Sequence, residues 1–274
     1  MTSFPKARRR SGAAIARIGE VATRPLSAAV LGRLDEIASR LEVIEAEQSN
    51  RISRLEQRLH DQEAMARRDL AYALDLEATR STAAFIQAAM PTATVLPEMR
   101  DTLRFGLSIA PEEGLALEFG VAGGETLRII ADARGGTGVF GFDSFDGLPE
   151  DWRSGFSRGL FAVDTLPDVP GATLVPGLFQ ESLPGWLSDH REPIAFVHLD
   201  ADLYSSTRCV LDLVEPRLRP DAVLVFDEFF NYPGWPEHEF RAWVEFVERT
   251  RVSFSYEAYT ATHEQVVVRL GTGG

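Results

Sequence analysis

The stretch "LEFGVAGGETLRII", residues 117–130, decides the fold of this chain. Its apolar start is typical of a buried strand, Gly120, Gly123 and Gly124 form a turn, and a helix is predicted from about Thr126. In a doubly wound sheet such a turn lies at the carboxyl ends of the strands, where ligands bind. The spacing G-x-x-G-G differs from the dinucleotide motif G-x-G-x-x-G, so the turn alone leaves a plain strand-to-helix connection open.

Short apolar runs alternate with helical patterns along the chain, at 115–119, 138–142, 172–175, 194–199, 222–226, 252–259 and 265–270. This alternation predicts an α/β fold with a doubly wound, Rossmann-like, mostly parallel sheet covered on both faces. Only Thr260 to Glu264 separate the last two runs, so we expect these runs to pair antiparallel as a hairpin.

The composition is that of an ordinary globular chain, with 274 residues of which 45% are hydrophobic and 25% charged. We find no apolar run of membrane-spanning length and no secretory signal. The one cysteine, Cys209, excludes an intrachain disulfide and fits a reducing compartment, so we expect a cytoplasmic protein.

Charge is distributed unevenly along the chain. The net charge is −13, yet residues 1–33 carry seven Arg or Lys and one acid. The acidic body argues against a nucleic-acid-binding surface. We interpret residues 1–33 as a basic, disordered head, for which contact with an anionic membrane or an acidic partner stays open.

Residues 34–80 are polar, lack Pro and Gly, and carry a narrow apolar stripe. The stripe runs at spacings of three and four, with one shift of register, through Leu34, Ile37, Leu41, Ile44, Ile52, Leu55 and Leu59. Such a seam predicts a coiled-coil helix that makes a homo-oligomer, a dimer or a trimer, with a stutter at the shift. A single helix packed on its own body is the alternative.

The strand after the glycine turn ends in "GFDSFDGLP", residues 141–149. Asp143 follows the turn by about twenty residues, where an acidic side chain can accept hydrogen bonds from both hydroxyls of a ribose. Glu118 adds a charge at the same rim. A helix N-cap is the alternative role for Asp143, but a ribose-bearing cofactor explains the turn and the acid together.

Two later strands end in pairs of acids, in "HLDADLYSST" (198–207) and "VLVFDEFF" (223–230). Neighbouring parallel strands bring Asp200, Asp202, Asp227 and Glu228 together, and like charges repel unless a cation or a proton compensates. Oxygen ligands suit Mg²⁺, which lowers the pKa of a bound hydroxyl. N-caps and structural salt bridges are the alternative. His198 shares a strand face with Asp200 and is either a base or a buried core histidine.

The motifs "LEFGVAGGET", "GFDSFDGLPE", "VHLDADLYSST" and "VFDEFF" occur in order over about residues 90–270. They resemble the class I S-adenosylmethionine-dependent methyltransferases, specifically the macrocin/mycinamicin/novobiocin-type sugar O-methyltransferases. The resemblance implies a seven-stranded sheet with an antiparallel final strand, in a methyltransferase domain at residues 88–272. It also implies S-adenosylmethionine and Mg²⁺ as cofactors.

The resemblance assigns the cofactor contacts to Glu118, Gly120 and Gly123 for the methionine part, Asp143 for the ribose, Ser144 and Phe145 for the adenosine, and Phe179 and Gln180 for the adenine. It assigns the Mg²⁺ to Asp200, Asp227 and Glu228, and the general base to Asp202. The family often has two aspartates where this chain has Asp227-Glu228, which puts Glu228 in question as a direct ligand.

We therefore predict a Mg²⁺-assisted O-methyltransferase for a sugar hydroxyl of a glycosylated metabolite or polysaccharide. Six aromatic residues either form the acceptor mouth or pack in the core: Trp152, Phe156, Phe229, Phe230, Tyr232 and Trp235. A nicotinamide-dependent oxidoreductase and a non-catalytic coiled-coil scaffold are the alternatives. The glycine spacing and the acid pairs disfavour the first, and the intact motifs disfavour the second.

Overall fold

The computed structural model describes residues 28–271. The chain divides into two compact units, residues 1–69 and residues 70–274. Most of the predicted basic head, residues 1–27, lies outside the described residues. In the described part of the first unit, one helix, α1 (Ala28–Arg68), carries the predicted apolar stripe through its register shift without a break.

The second unit alternates helices and strands as the apolar runs predicted. Its helices are α2 (Leu70–Ala89), α3 (Met99–Ile109), α4 (Glu125–Ala133), α5 (Phe179–Asp189), α6 (Tyr204–Val214) and α7 (Glu239–Thr250), with 3₁₀ turns at Glu215–Arg217 and Trp235–Glu237. Its strands are β1 (Thr94–Leu96), β2 (Leu115–Phe119), β3 (Val139–Asp143), β4 (Thr173–Pro176), β5 (Ile194–Leu199), β6 (Leu218–Phe226), β7 (Phe254–Thr260) and β8 (Val266–Leu270).

One mixed sheet contains these strands in the order β1-β7-β8-β6-β5-β2-β3-β4. β8 runs antiparallel to both of its neighbours, and the other pairings are parallel. The predicted α/β class, the doubly wound sheet and the antiparallel last strand are therefore confirmed. β1 is an addition to the predicted seven strands, because an edge strand of three residues leaves too short an apolar run to recognise.

Two neighbouring inner strands of the sheet, β2 and β5, are buried at every position. Helices cover both faces, so the apolar side chains of these strands fall into two core clusters, one on each face. A charged side chain in either strand must therefore find its partner inside the protein. Across the described range, no helix is both long and apolar enough to cross a membrane.

Helix α2 packs within the second unit through Phe85. The Phe85 ring lies 5.7 Å from the ring of Trp235 and 5.2 Å from that of Phe240. The Trp235 indole N–H donates to the Ser81 hydroxyl, and the backbone N–H of Asn231 donates to Thr82. The sequence placed residues up to 80 in the coiled coil, whereas the structure divides the chain between residues 69 and 70.

Phe85→Ala should destabilise the second unit, because it removes a ring that contacts four other aromatic rings. For a partly buried phenylalanine we expect a loss of about 2–3 kcal/mol, below the range of about 3–5 kcal/mol for fully buried ones. Urea unfolding followed by tryptophan fluorescence measures this change. Gln87→Ala, an exposed change on the same helix, should stay within about 0.5 kcal/mol of the parent. Equal effects from both changes would contradict the packing described.

Candidate active site

A pocket of about 330 Å³ opens at the carboxyl ends of β2, β3, β5 and β6. Because β2 lies between β5 and β3, the strand order reverses beside it, and open α/β sheets bind ligands at such a reversal. The pocket is lined by Gly120, Ala122, Asp143, Ser144, Gly147, Leu148, Pro149, Trp152, Arg153, Phe156, Phe161, Leu178, Phe179, Gln180, Asp200, Ala201, Asp202, Ser206 and Glu228.

The glycine turn brings β2 against the end of β5. Gly120 has a φ of +92°, and a Cβ at this position would lie 1.7 Å from the backbone oxygen of Asp200. Only glycine allows that approach. Gly124 precedes α4 with a φ of +75° and lies against Pro167 and Val169. At Gly123 an added Cβ would meet nothing within 4 Å, so packing gives no reason for the glycine there.

Asp143 fastens the glycine turn to the end of β3. Its Oδ2 accepts the backbone N–H groups of Val121 and Ala122, each at 2.8 Å, and its Oδ1 accepts that of Phe145 at 2.7 Å. A carboxylate has about four lone-pair directions. This arrangement therefore leaves Asp143 one vacant direction, on Oδ1, for a ligand hydroxyl, rather than the two that the sequence suggested.

Three carboxylates converge at the pocket wall. Oxygens of Asp200, Asp202 and Glu228 all lie within 4.8 Å of one another. Burial, and next the charge of Asp227, raise the pKa of Asp200 and of Glu228 well above the usual range. Burial also raises the pKa of Asp202, to about 7, against the lowering effect of Arg153. Glu228 Oε2 is buried without a hydrogen-bond partner. A hard divalent cation fits this set of oxygens and would relieve their repulsion.

Asp202 reaches the cluster through an unusual turn. Its φ is +59°, and the backbone N–H of Leu203 donates to the carbonyl of Ala201 at 2.5 Å. A non-glycine residue in this left-handed region costs energy and is typical of functional sites. Strand alternation alone puts Asp200 and Asp202 on one face but does not reveal this turn.

Asp227 belongs to a different group of side chains. Its Oδ1 lies 3.6 Å from His198 Nε2, while His198 Nδ1 lies 2.8 Å from Glu118 Oε1. Burial would lower the pKa of His198, but the two carboxylates raise it well above its usual value. Burial would raise the pKa of Asp227, but His198 holds it below its usual value. These three residues form a buried chain of opposite charges across β2, β5 and the end of β6, and none of them lines the pocket.

Glu239, at the start of α7, supports the turn after β6. It is fully buried, accepts the hydroxyl of Thr207 through Oε1 and accepts the backbone N–H of Glu228 through Oε2, both at 3.1 Å. Burial raises the pKa of Glu239 to about 8. The sequence does not single out Glu239, because its signal is one acid just after an aromatic and proline-rich stretch.

Arg153 is a second residue of the site that the sequence does not single out. Its guanidinium carbon lies 4.0 Å from the Trp152 ring centre, 4.7 Å from that of Phe156 and 4.4 Å from that of Tyr232. Its Nη1 also pairs with Glu264 at 3.1 Å. The rings and the carboxylate hold a cation at the pocket wall, near Asp202.

The predicted site residues divide into two sets. Eight line the pocket: Gly120, Asp143, Ser144, Phe179, Gln180, Asp200, Asp202 and Glu228. Five do not: Glu118, Gly123, Phe145, His198 and Asp227. Of the six predicted aromatic residues, Trp152 and Phe156 line the pocket, and the buried Phe229, Phe230, Tyr232 and Trp235 pack in the core.

Residues 117–229 match the profile of a family described as "Methyltransferase domain". Over 126 residues the chain is 29% identical to the 8-demethyl-8-(2,3-dimethoxy-alpha-L-rhamnosyl)-tetracenomycin-C 4'-O-methyltransferase of Streptomyces olivaceus. That alignment spans 38% of this chain and about half, 47%, of the relative. The crystal structure of the calicheamicin methyltransferase CalS11 superposes with a TM-score of 0.51 at 23% identity, over 78% of this chain and 90% of the other.

Together with the sheet order and the pocket at its carboxyl edge, these matches define the class: the second unit has the fold of the class I methyltransferases. The resemblance that the sequence motifs indicated is confirmed.

Proposed function

We propose that this protein is an S-adenosylmethionine-dependent O-methyltransferase that acts, with Mg²⁺, on a sugar hydroxyl. One observation carries the proposal: a single pocket is lined by the glycine turn and Asp143 and also by the carboxylates Asp200, Asp202 and Glu228. The name of the Streptomyces relative describes methylation of a rhamnosyl group, which supports a glycosyl acceptor.

The donor side of the pocket is the glycine turn with Asp143. We propose that Asp143 accepts a ribose hydroxyl at its vacant Oδ1 direction, that Ser144 lies near the adenosine, and that Phe179 and Gln180 border the adenine. When bound, S-adenosylmethionine supplies a methyl group on a positively charged sulfur. Glu118, Gly123 and Phe145 do not line the pocket, so we propose that Glu118 acts through His198 rather than by contact.

The acceptor side is the carboxylate cluster. Asp200 and Glu228 would hold the cation, which makes a bound hydroxyl more acidic. Asp202 would accept the proton of that hydroxyl, and the pocket aligns the hydroxyl oxygen with the methyl carbon. His198 holds Asp227 at a fixed place beside the cluster, so we propose both as positioning residues. Trp152 and Phe156 offer aromatic faces on which the apolar face of a sugar can stack.

The remaining proposals concern organisation. We propose a basic head (1–33), a coiled-coil helix (34–80) through which copies of the chain associate, and a methyltransferase domain (88–272) that functions in the cytoplasm.

The proposed activity can be tested by measuring transfer of a labelled methyl group from S-adenosylmethionine to a panel of deoxysugar glycosides, with EDTA or Mg²⁺ present. Transfer to oxygen supports the proposal, and transfer to nitrogen or none to any glycoside contradicts it.

The two glycines of the turn give a matched pair of variants. Gly123→Ala should leave the unfolding free energy within about 0.5 kcal/mol of the parent, because its Cβ meets nothing within 4 Å, and should change cofactor affinity less than about threefold, because Gly123 does not line the pocket. Gly120→Ala should destabilise the fold by at least about 2 kcal/mol, because its Cβ would overlap the Asp200 carbonyl at positive φ. Urea unfolding and cofactor titration measure the two effects. A tenfold loss of cofactor affinity in Gly123→Ala would instead place this residue in contact with the donor.

A further inference from the structure

Helix α1 presents an apolar seam that is exposed along its length. The apolar members are between 42% and 61% exposed: Val30, Leu34, Ile37, Leu41, Ile44, Ile52, Leu55 and Leu59. Gln48 lies between Ile44 and Ile52 and continues the spacing of three and four across the register shift, as a stutter does. A seam of this width needs another helix to cover it.

The two edges of this seam carry opposite charges. Arg40, Arg51 and Arg58 lie along one edge, and an acid follows each of them by five residues, at Glu45, Glu56 and Glu63 on the other edge. In two parallel helices in register, a residue on the arginine edge of one chain faces the residue five positions later on the acidic edge of its partner. The pattern therefore gives three Arg–Glu pairs, each occurring twice. Glu47, on the arginine edge, departs from the pattern.

An antiparallel pair would bring like edges together. A two-fold axis at Gln48 matches the apolar layers as well, since it sets Ile44 against Ile52 and Leu41 against Leu55. It places Arg40, however, beside the arginines of the partner. In the single helix Arg40 pairs with Glu36 at 2.6 Å, with both side chains more than half exposed. Such an exposed ion pair contributes little to the stability of the helix, so Arg40 can readily pair with an acid of the partner chain instead.

We infer that α1 is a docking surface for a second copy of the same helix, aligned parallel and in register, with Gln48 facing its counterpart. The inference deepens the self-association proposed above and does not depend on methyl transfer. The occupant is a copy of this chain because the charge pattern is complementary to itself only in that alignment.

The mass of the full chain in solution tests the association. Light scattering at about 50 µM should give a mass of at least two chains, and Leu41→Lys with Leu55→Lys should reduce it to one chain. Val43→Lys is the matched control, since Val43 is 56% exposed on the opposite side of α1. A parent with the mass of one chain, or equal loss in the control, would overturn the inference.

Cysteine crosslinking tests the alignment separately. In a Cys209→Ala background, Ile44→Cys should form an interchain disulfide under mild oxidation, because parallel in-register helices bring the two Ile44 positions together. Val43→Cys, the matched control, should form far less. In an antiparallel pair the two Ile44 positions are about 12 Å apart along the axis, at 1.5 Å per residue. If the protein associates but Ile44→Cys forms no disulfide, the parallel alignment is contradicted, whereas the association itself is not.

Charge reversal gives an independent readout. A chain with Glu45→Arg, Glu56→Arg and Glu63→Arg should associate at least tenfold more weakly than the parent, as should one with Arg40→Glu, Arg51→Glu and Arg58→Glu. Mixed in equal amounts, the two variants should form a mixed oligomer, which a tag on one of them recovers with the other. Failure of the mixture to associate would exclude the Arg–Glu pairing.

Discussion

Asp202→Asn should reduce methyl transfer by roughly 10²–10⁴-fold, the usual contribution of a positioned general base. Asparagine is nearly isosteric and tolerates the left-handed backbone that residue 202 adopts, so the turn should survive. Without a cation, burial raises the pKa of Asp202 to about 7, and a bound Mg²⁺ would lower it, so that the carboxylate is free to accept a proton at neutral pH. Single-turnover rates at saturating acceptor measure the loss.

Cofactor titration separates this result from misfolding. The dissociation constant for S-adenosylmethionine should change less than about threefold in Asp202→Asn, because the proposed donor contacts lie at Asp143 and the glycine turn. Asp146→Asn, an exposed acid in the loop after β3, is the control and should keep the parental rate. A near-parental rate in Asp202→Asn would transfer the base role to water or to another group of the pocket.

Asp200→Asn should abolish the response of the protein to Mg²⁺. In the parent, saturating Mg²⁺ at about 100 times its dissociation constant should stabilise the fold by about 2.7 kcal/mol. For a unit of this size that is a rise in melting temperature of about 5–10 °C. The variant should lack this rise, and methyl transfer should fall with it.

The same variant should be more stable than the parent when no cation is present. Asp200 lies buried beside two further carboxylates, and the neutral amide relieves their repulsion. We expect a gain of about 1 kcal/mol, or roughly 2–4 °C in melting temperature. Differential scanning calorimetry with EDTA and with Mg²⁺ measures both effects. A cation response retained in Asp200→Asn would remove Asp200 from the metal site.

Much of the fold could be predicted because local signals agree with it. The apolar runs are continuous in β5 and β6, because helices cover both faces of the sheet there. The short link before Val266 fixes the final hairpin. The edge strand β1 and the docking of Phe85 gave no such signal, because three residues make no pattern and α2 looks like more of the preceding helix.

The sequence predicts which strand ends meet at the site, but it does not predict the direction in which each side chain points. Asp200, Asp202 and Glu228 converge as strand adjacency requires. Asp227 instead faces His198, and Asp202 enters the cluster through a left-handed turn. Pairing between buried charges such as Glu118 and His198 depends on the register between β2 and β5, which are distant in sequence. One amino-acid sequence does not reveal that register.

Isothermal titration of the full chain with S-adenosylmethionine, with and without Mg²⁺, is the decisive test of the proposed methyl donor. We expect one binding site per chain with a dissociation constant below about 1 mM. Asp202→Asn should keep both the fold and the binding of the donor, and NAD should show no comparable binding. Absence of binding heat at millimolar S-adenosylmethionine, from a protein shown to be folded, would contradict the proposed donor.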